Sequence, residues 1–97
     1  MFYTYILISK KDNKLYTGYT KNLKLRFEQH NTGLVESTKN RRPFMLIYYE
    51  ACLNKKDAIV REKYLKTFYG KMFIGKRLKS YFTGQGFPFA YTYTKDR

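Results

Sequence analysis

The sequence predicts an α/β fold: a small, three-stranded, largely antiparallel sheet flanked by helices. Three observations predict it. Two β-branched and aromatic runs, Phe2–Ile8 and Lys14–Tyr19, bracket a polar turn sequence. Two later stretches space their apolar residues helically, and between them Pro43 introduces a third apolar run, Phe44–Ala51.

The first two runs read as an antiparallel hairpin. Lys11-Asp12-Asn13-Lys14 supplies the turn chemistry. With the turn centred on Asp12-Asn13, Lys11 faces Lys14, and the cross-strand pairs become Ser9 with Tyr16 and Leu7 with Gly18. Tyr5 and Tyr16 then project from the same face, and any even loop length preserves that parity.

Thr20 or Asn22 caps a helix through Leu23, Arg26, Phe27 and His30, and Gly33 suits its left-handed C-terminal position. At about 100° per residue those four side chains fall within one stripe, so Arg26 and His30 flank the face that packs inward. Residues 34–42 form a polar, basic connection to the third strand, which is expected to be the more buried one. Asn54 and Asp57 suit the N-cap and N3 positions of a second helix that runs to about Tyr69, with Gly70 as its stop. Ala58, Glu62, Leu65 and Tyr69 share a stripe there, which sets one carboxylate among apolar residues. Residues 71–82 read as a third, basic amphipathic helix, with Phe73, Ile74, Leu78 and Tyr81 available to pack. One domain is expected over residues 1–82. Residues 83–97 form an aromatic, basic tail in which Phe87, Phe89, Tyr91 and Tyr93 alternate, as an edge strand or a loose end.

Twenty Lys and Arg against seven Asp and Glu give a formal charge of +13 on 97 residues. Such a chain favours a polyanion as partner through counterion release, although a ribosome or an anionic membrane would draw the same charge. With 43% hydrophobic residues and 20% aromatics, it is far from the composition of disorder and buries a modest core of its own. No stretch approaches the roughly 20 apolar residues of a membrane span, and the first residues lack a secretory signal. A soluble, cytoplasmic protein with no membrane partner is expected. Cys52 is the single cysteine, with no disulfide or zinc-cluster partner, and reads as packed and inert. HExxH and CxxC are absent, and Gly84-Gln85-Gly86 lacks the later glycine of a dinucleotide loop.

Taken singly, the remaining polar residues read as ordinary ones. Tyr5 and Tyr16 suit a sheet, Arg26 a solvated helix face, His30 a helix end, and Glu62 an i to i+4 pair with Lys66. Their order is what carries information: Tyr3-Thr4-Tyr5, then Tyr16-Thr17-Gly18, then Arg26 and His30, then Glu62. On these motifs the chain resembles a small, single-domain bacterial-type member of the GIY-YIG endonuclease superfamily, over roughly residues 2–70. The stretch from His30-Asn31-Thr32-Gly33 through Ser37-Thr38-Lys39-Asn40-Arg41-Arg42-Pro43 carries the same resemblance. Tyr3 stands where the first motif usually has Gly, Thr4 where it has Ile, and Thr17 where the second has Ile.

The resemblance implies a divalent-metal-dependent endonuclease, with Tyr5, Tyr16, Arg26, His30 and Glu62 as its catalytic residues. Glu62 would hold a hard cation, Mg²⁺ or Mn²⁺, whose remaining ligands are waters and substrate phosphate. Arg26 would bind the scissile phosphate through its planar donor fork. Tyr16 is the expected general base, although a phenol with a reference pKa of about 10 needs nearby positive charge to ionise at neutral pH. Tyr5 and His30 would orient water and substrate or relay the proton, and His30 is an alternative acceptor of the proton from Tyr16. DNA is the expected substrate, with structure rather than sequence as the basis of choice, and a protein partner could supply specificity. Lys39, Arg41, Arg42, Lys71, Lys76, Arg77 and Lys79 are candidates for backbone contacts, and the aromatics for stacking on unpaired bases. The alternatives are a binding module that keeps the fold with negligible catalysis and a basic structural protein of a ribonucleoprotein particle. Neither needs a carboxylate facing a polyanion.

Overall fold

The computed structural model describes residues 1–87, and β1 (Phe2–Ser9) is the central strand of its sheet. β2 (Leu15–Thr20) and β3 (Phe44–Cys52) pair antiparallel on either side of it, in the order β2-β1-β3. Thr4 through Ser9 are all buried, because a central strand with both faces covered has no solvent side. The sequence placed the most buried strand third. β3 is instead an edge strand in which only Phe44 is buried, and its register slips between Ile6 and Leu7, leaving Ile47 as the extra residue.

The hairpin turn differs from its expected geometry while keeping the expected parity. Tyr5 lies opposite Gly18 and Leu7 opposite Tyr16, two residues away from the anticipated register. The Ser9 backbone N–H donates to the Lys14 carbonyl at 3.0 Å, so the loop is the four residues 10–13. The buried Ser9 hydroxyl organises that loop by accepting from the backbone N–H groups of Lys11 and Asp12, while Asn13 takes a left-handed φ of 58°. Four is even, so Tyr5 and Tyr16 still share a face.

α1 spans Leu23–Thr32. The Asn22 side chain accepts from Leu25 N at 3.1 Å, and Gly33, at φ 83°, ends the helix. Leu23 and Phe27 pack against the cluster formed by Tyr5, Leu7 and Phe44. A short 3-10 turn, Lys39–Arg41, precedes β3. The Asn31 side chain clamps the start of that strand, accepting from Phe44 N at 2.6 Å and donating to Phe44 O at 3.0 Å.

α2 spans Lys55–Leu65, and the Asn54 side chain caps it by accepting from Lys56 N at 2.8 Å. It stops four residues earlier than its apolar stripe suggests, so Tyr69 is not part of it and lies exposed. Gly70 is not the terminator. Thr67 caps a new helix, α3 (Phe68–Arg77), by accepting from Gly70 N at 3.1 Å, and Gly70 lies buried in that helix's first turn. A Cβ on Gly70 would collide with the Tyr64 carbonyl, so the glycine serves close approach of two backbones. The expected third helix is two: α3, then α4 (Lys79–Gly84), broken at Leu78, whose φ and ψ are −110° and 27°.

The chain divides into two compact units, Met1–Glu62 and a second that begins at Lys63. Of the expected aromatic tail, Phe89, Tyr91 and Tyr93 lie outside the described residues. Among those described, no helix is long and apolar enough to cross a membrane.

Candidate active site

Tyr5 faces Gly18 across the β1–β2 pairing, and its ring lies over the space a side chain at position 18 would fill. A Cβ there would collide with Tyr5 Cζ and Oη. The phenol, 1% exposed, thereby reaches α1, where Oη meets His30 Nε2 at 2.8 Å. His30 is fully buried, and its Nδ1 lies 2.9 Å from Thr38 Oγ1.

Burial, aided by the positive charge of Arg26, pushes the His30 pKa down to about 4, so the ring is neutral at neutral pH. A neutral imidazole offers one donor and one acceptor. Thr38 turns its own hydroxyl proton toward the Val35 carbonyl at 3.4 Å, which leaves its oxygen to accept from His30 Nδ1–H. His30 Nε2 then accepts from the Tyr5 hydroxyl. The line Tyr5, His30, Thr38 has one direction throughout.

Burial pushes the Tyr5 pKa up to about 12; a hydrogen bond from Arg26 opposes this, and the charges of Tyr16 and Glu62 add to it. One buried phenol therefore feels three of the other residues singled out in the sequence. Arg26 sits one helical turn before His30, half-buried, with Nη1 donating to Gln29 Oε1 at 3.3 Å. Glu62, half-buried on α2, is set in place through Thr4: this buried neighbour of Tyr5 donates to the Ala58 carbonyl at 3.0 Å, one turn before Glu62.

The Tyr16 ring packs edge-on against His30, with centroids 4.9 Å apart, and lies 6.3 Å from that of Tyr5. Both His30 nitrogens are engaged by Tyr5 and Thr38. Tyr16 meets the histidine through its ring rather than through either nitrogen. Tyr16 is half-buried, so of the two phenols it is the one that solvent reaches more readily.

The basic residues expected to touch a nucleic-acid backbone are divided between the two units, Lys39, Arg41 and Arg42 in the first and Lys71, Lys76, Arg77 and Lys79 in the second. Arg41 is committed within the protein: its guanidinium donates to Asp12 at 2.8 Å and to the Lys14 carbonyl at 3.1 Å, and it lies over the Phe44 ring at 5.6 Å. Arg42 Nε donates to the Lys39 carbonyl at 2.7 Å, and Lys39 pairs with Glu36 at 2.7 Å. Arg41 thus serves as a structural clasp between the hairpin loop and the start of β3. Lys71, Lys76, Arg77 and Lys79 belong to the second unit, where Lys76, Arg77 and Lys79 are exposed and Lys71 is half-buried.

Among the described residues no group of three or more His, Cys, Asp or Glu stands together. Among the residues singled out in the sequence the donor set is one carboxylate, Glu62, and two phenols, Tyr5 and Tyr16. Oxygen donors and a single negative charge fit a hard divalent cation that keeps most of its waters, and do not fit a zinc cage. Thr38, Thr4 and Asn31 hold the site together and were invisible in the sequence as site residues. Thr38 stands eight positions after His30 with no periodic relation to it, and only the fold of the connecting segment joins them.

Phenols, a guanidinium and an oxygen ligand gathered around Tyr5 are the groups that phosphoryl chemistry uses, and the class is that of a nuclease-type α/β domain. The chain belongs to the GIY-YIG family: the model of the GIY-YIG catalytic domain matches residues 1–79. It is 48% identical to a UPF0213 protein of Staphylococcus haemolyticus over 67 residues, which are 68% of this chain and 80% of that protein. A UPF0213 protein of Clostridium perfringens is 46% identical over 67 residues, covering 68% and 71% of the two chains. No solved structure matches the chain.

Proposed function

We propose that this protein is a divalent-metal-dependent endonuclease that hydrolyses phosphodiester bonds, with DNA as its preferred substrate. The observation that carries this reading is the arrangement around Tyr5: His30 is bonded to its hydroxyl at 2.8 Å, the Tyr16 ring lies 6.3 Å from its own, and Arg26 stands one helical turn before His30.

The roles follow from the chemistry of each group. Arg26 binds a phosphoryl oxygen and stabilises the charge that develops there. Tyr16 accepts the proton of the attacking water. Tyr5, kept protonated by burial, gives its one hydroxyl proton to His30 and so offers only its oxygen, as an acceptor held in one orientation. His30 and Thr38 are positioning residues. Glu62 holds the metal, which when bound lowers the pKa of its water and screens the phosphate charge. The unpaired thiol of Cys52 is compatible with the reducing cytoplasm, where we expect the protein to act.

The test is nicking of supercoiled, branched and single-stranded DNA in Mg²⁺, Mn²⁺ or EDTA, with Glu62→Ala alongside wild type. Glu62→Ala is expected to abolish metal-dependent cleavage while binding stays equal or tightens, since a negative charge near the phosphate is removed. Equal activity in the variant would sink the metal-ligand role. Binding without product on every DNA would make the protein a binding module.

A further inference from the structure

A groove of about 590 Å³ lies where the end of β2, the first turns of α1 and the start of α2 meet. Its cations are Lys21, Arg26 and Lys55, and among the described residues no acidic one lines it. Phe2 and Tyr19 also line it, with their rings stacked at 6.4 Å between centroids and 15° between planes. The two rings are diagonal neighbours on β1 and β2, since Thr4 is the partner of Tyr19 and Phe2 lies two residues before Thr4. Both are only partly buried, so aromatic surface faces the groove.

Three positive charges with no negative one favour an anionic ligand. Near-parallel rings beside them favour a planar one, and a volume of this size falls in the range of ligand-holding clefts. A nucleotide is both anionic and planar. Arg26 fixes which nucleotide, because the side chain that lines the groove stands one helical turn before His30, which is bonded to the Tyr5 hydroxyl.

We infer that this groove seats an unstacked nucleotide next to the scissile phosphate, its base lying against the Phe2–Tyr19 pair and its phosphates against Lys21 and Lys55. The inference rests on the nuclease reading for the position of the scissile phosphate. It adds a substrate requirement: the nucleotide beside the cut must leave its stack, which an end, flap or branch allows more readily than an intact duplex.

The test is a binding cycle in EDTA, so that cleavage plays no part. Labelled flap oligonucleotides carry a single abasic residue walked along the strand, and each is titrated with wild type, Tyr19→Phe, Tyr19→Leu and Phe2→Leu. For wild type and Tyr19→Phe, one abasic position is expected to weaken binding about tenfold, the size of one lost base–aromatic stack. For Tyr19→Leu and Phe2→Leu, the intact oligonucleotide is expected to bind about tenfold more weakly and that abasic position to cost nothing further. The inference is overturned if no abasic position stands out, if the abasic and leucine effects simply multiply, or if no oligonucleotide binds. It is equally overturned if Tyr19→Leu dissolves a dimer seen by sedimentation, since the groove would then belong to a second copy. A complete cycle with no cleavage in Mg²⁺ would refute the nuclease reading and leave the nucleotide seat standing.

Discussion

Arg26 and Arg41 are both half-buried, and they keep different company. Arg41 grips the Asp12 carboxylate, and Arg61 likewise holds Glu50 through two hydrogen bonds of 2.8 and 2.9 Å. The side-chain hydrogen bond of Arg26 goes to a neutral group, the Gln29 amide oxygen at 3.3 Å. A guanidinium paired with a carboxylate is neutralised and becomes a structural clasp. One held by a neutral acceptor is equally well positioned and keeps its whole charge. A basic composition therefore says less about where this protein binds than the identity of each cation's partner does.

The largest expected effect that separates the two arginines is on turnover. Arg26→Ala should lower kcat on a cleavable DNA by roughly 10²–10³-fold, the cost of removing one donor aimed at developing charge. Arg41→Ala should leave kcat unchanged, and a loss of similar size there would erase the distinction.

A smaller effect separates the buried polar line from the surface clasp by pH. His30 takes up a proton at about 4 when folded and near 6.5 when unfolded. Between those values the unfolded chain binds the extra proton, so stability is present above pH 6.5 and is lost as pH falls toward 4. The full loss is about 3 kcal/mol. For Asp12, burial raises the carboxyl pKa and the hydrogen bonds from Arg41 and Lys14 N lower it further than that, for a net downward shift. Its contribution is present above about pH 4, its unfolded value, and is lost only below it. Urea titrations across pH should resolve two separate windows. His30→Gln should flatten the upper one and Asp12→Asn the lower one; a single merged transition, unmoved by either substitution, would contradict both assignments.

The smallest effect is the stability of the clasp itself. Asp12 and Arg41 retain 33% and 28% side-chain exposure, so solvent screens the pair, and Arg41→Ala should cost only about 1 kcal/mol in the midpoint of thermal or urea unfolding. A cost several times larger would mean that packing on Phe44, rather than charge, is what Arg41 supplies.

Local chemistry made part of this fold legible. Asn22, Gly33 and Asn54 act as the caps their types suggest, and the shared face of Tyr5 and Tyr16 followed from an even loop even though the register moved by two residues. What escaped the sequence depended on distant partners. Gly70 looks like a helix stop and is a contact point for the Tyr64 carbonyl; Thr67, an ordinary threonine in the chain, is the cap. The central position of β1 is a matter of strand order, which apolar content alone did not reveal. β1 is tied to α2 through Thr4, and His30 is fixed through Thr38, two buried hydroxyls whose partners lie far along the chain or outside any periodic pattern.

Gly18 makes the sheet transparent at one point. A tyrosine on the middle strand sees past the edge strand only because nothing hangs from the backbone opposite it. Adding a single carbon at that position would shut the aperture. The ring would have to swing away, its bond to His30 would break, and the fold could survive intact while the chemistry lost its line of sight.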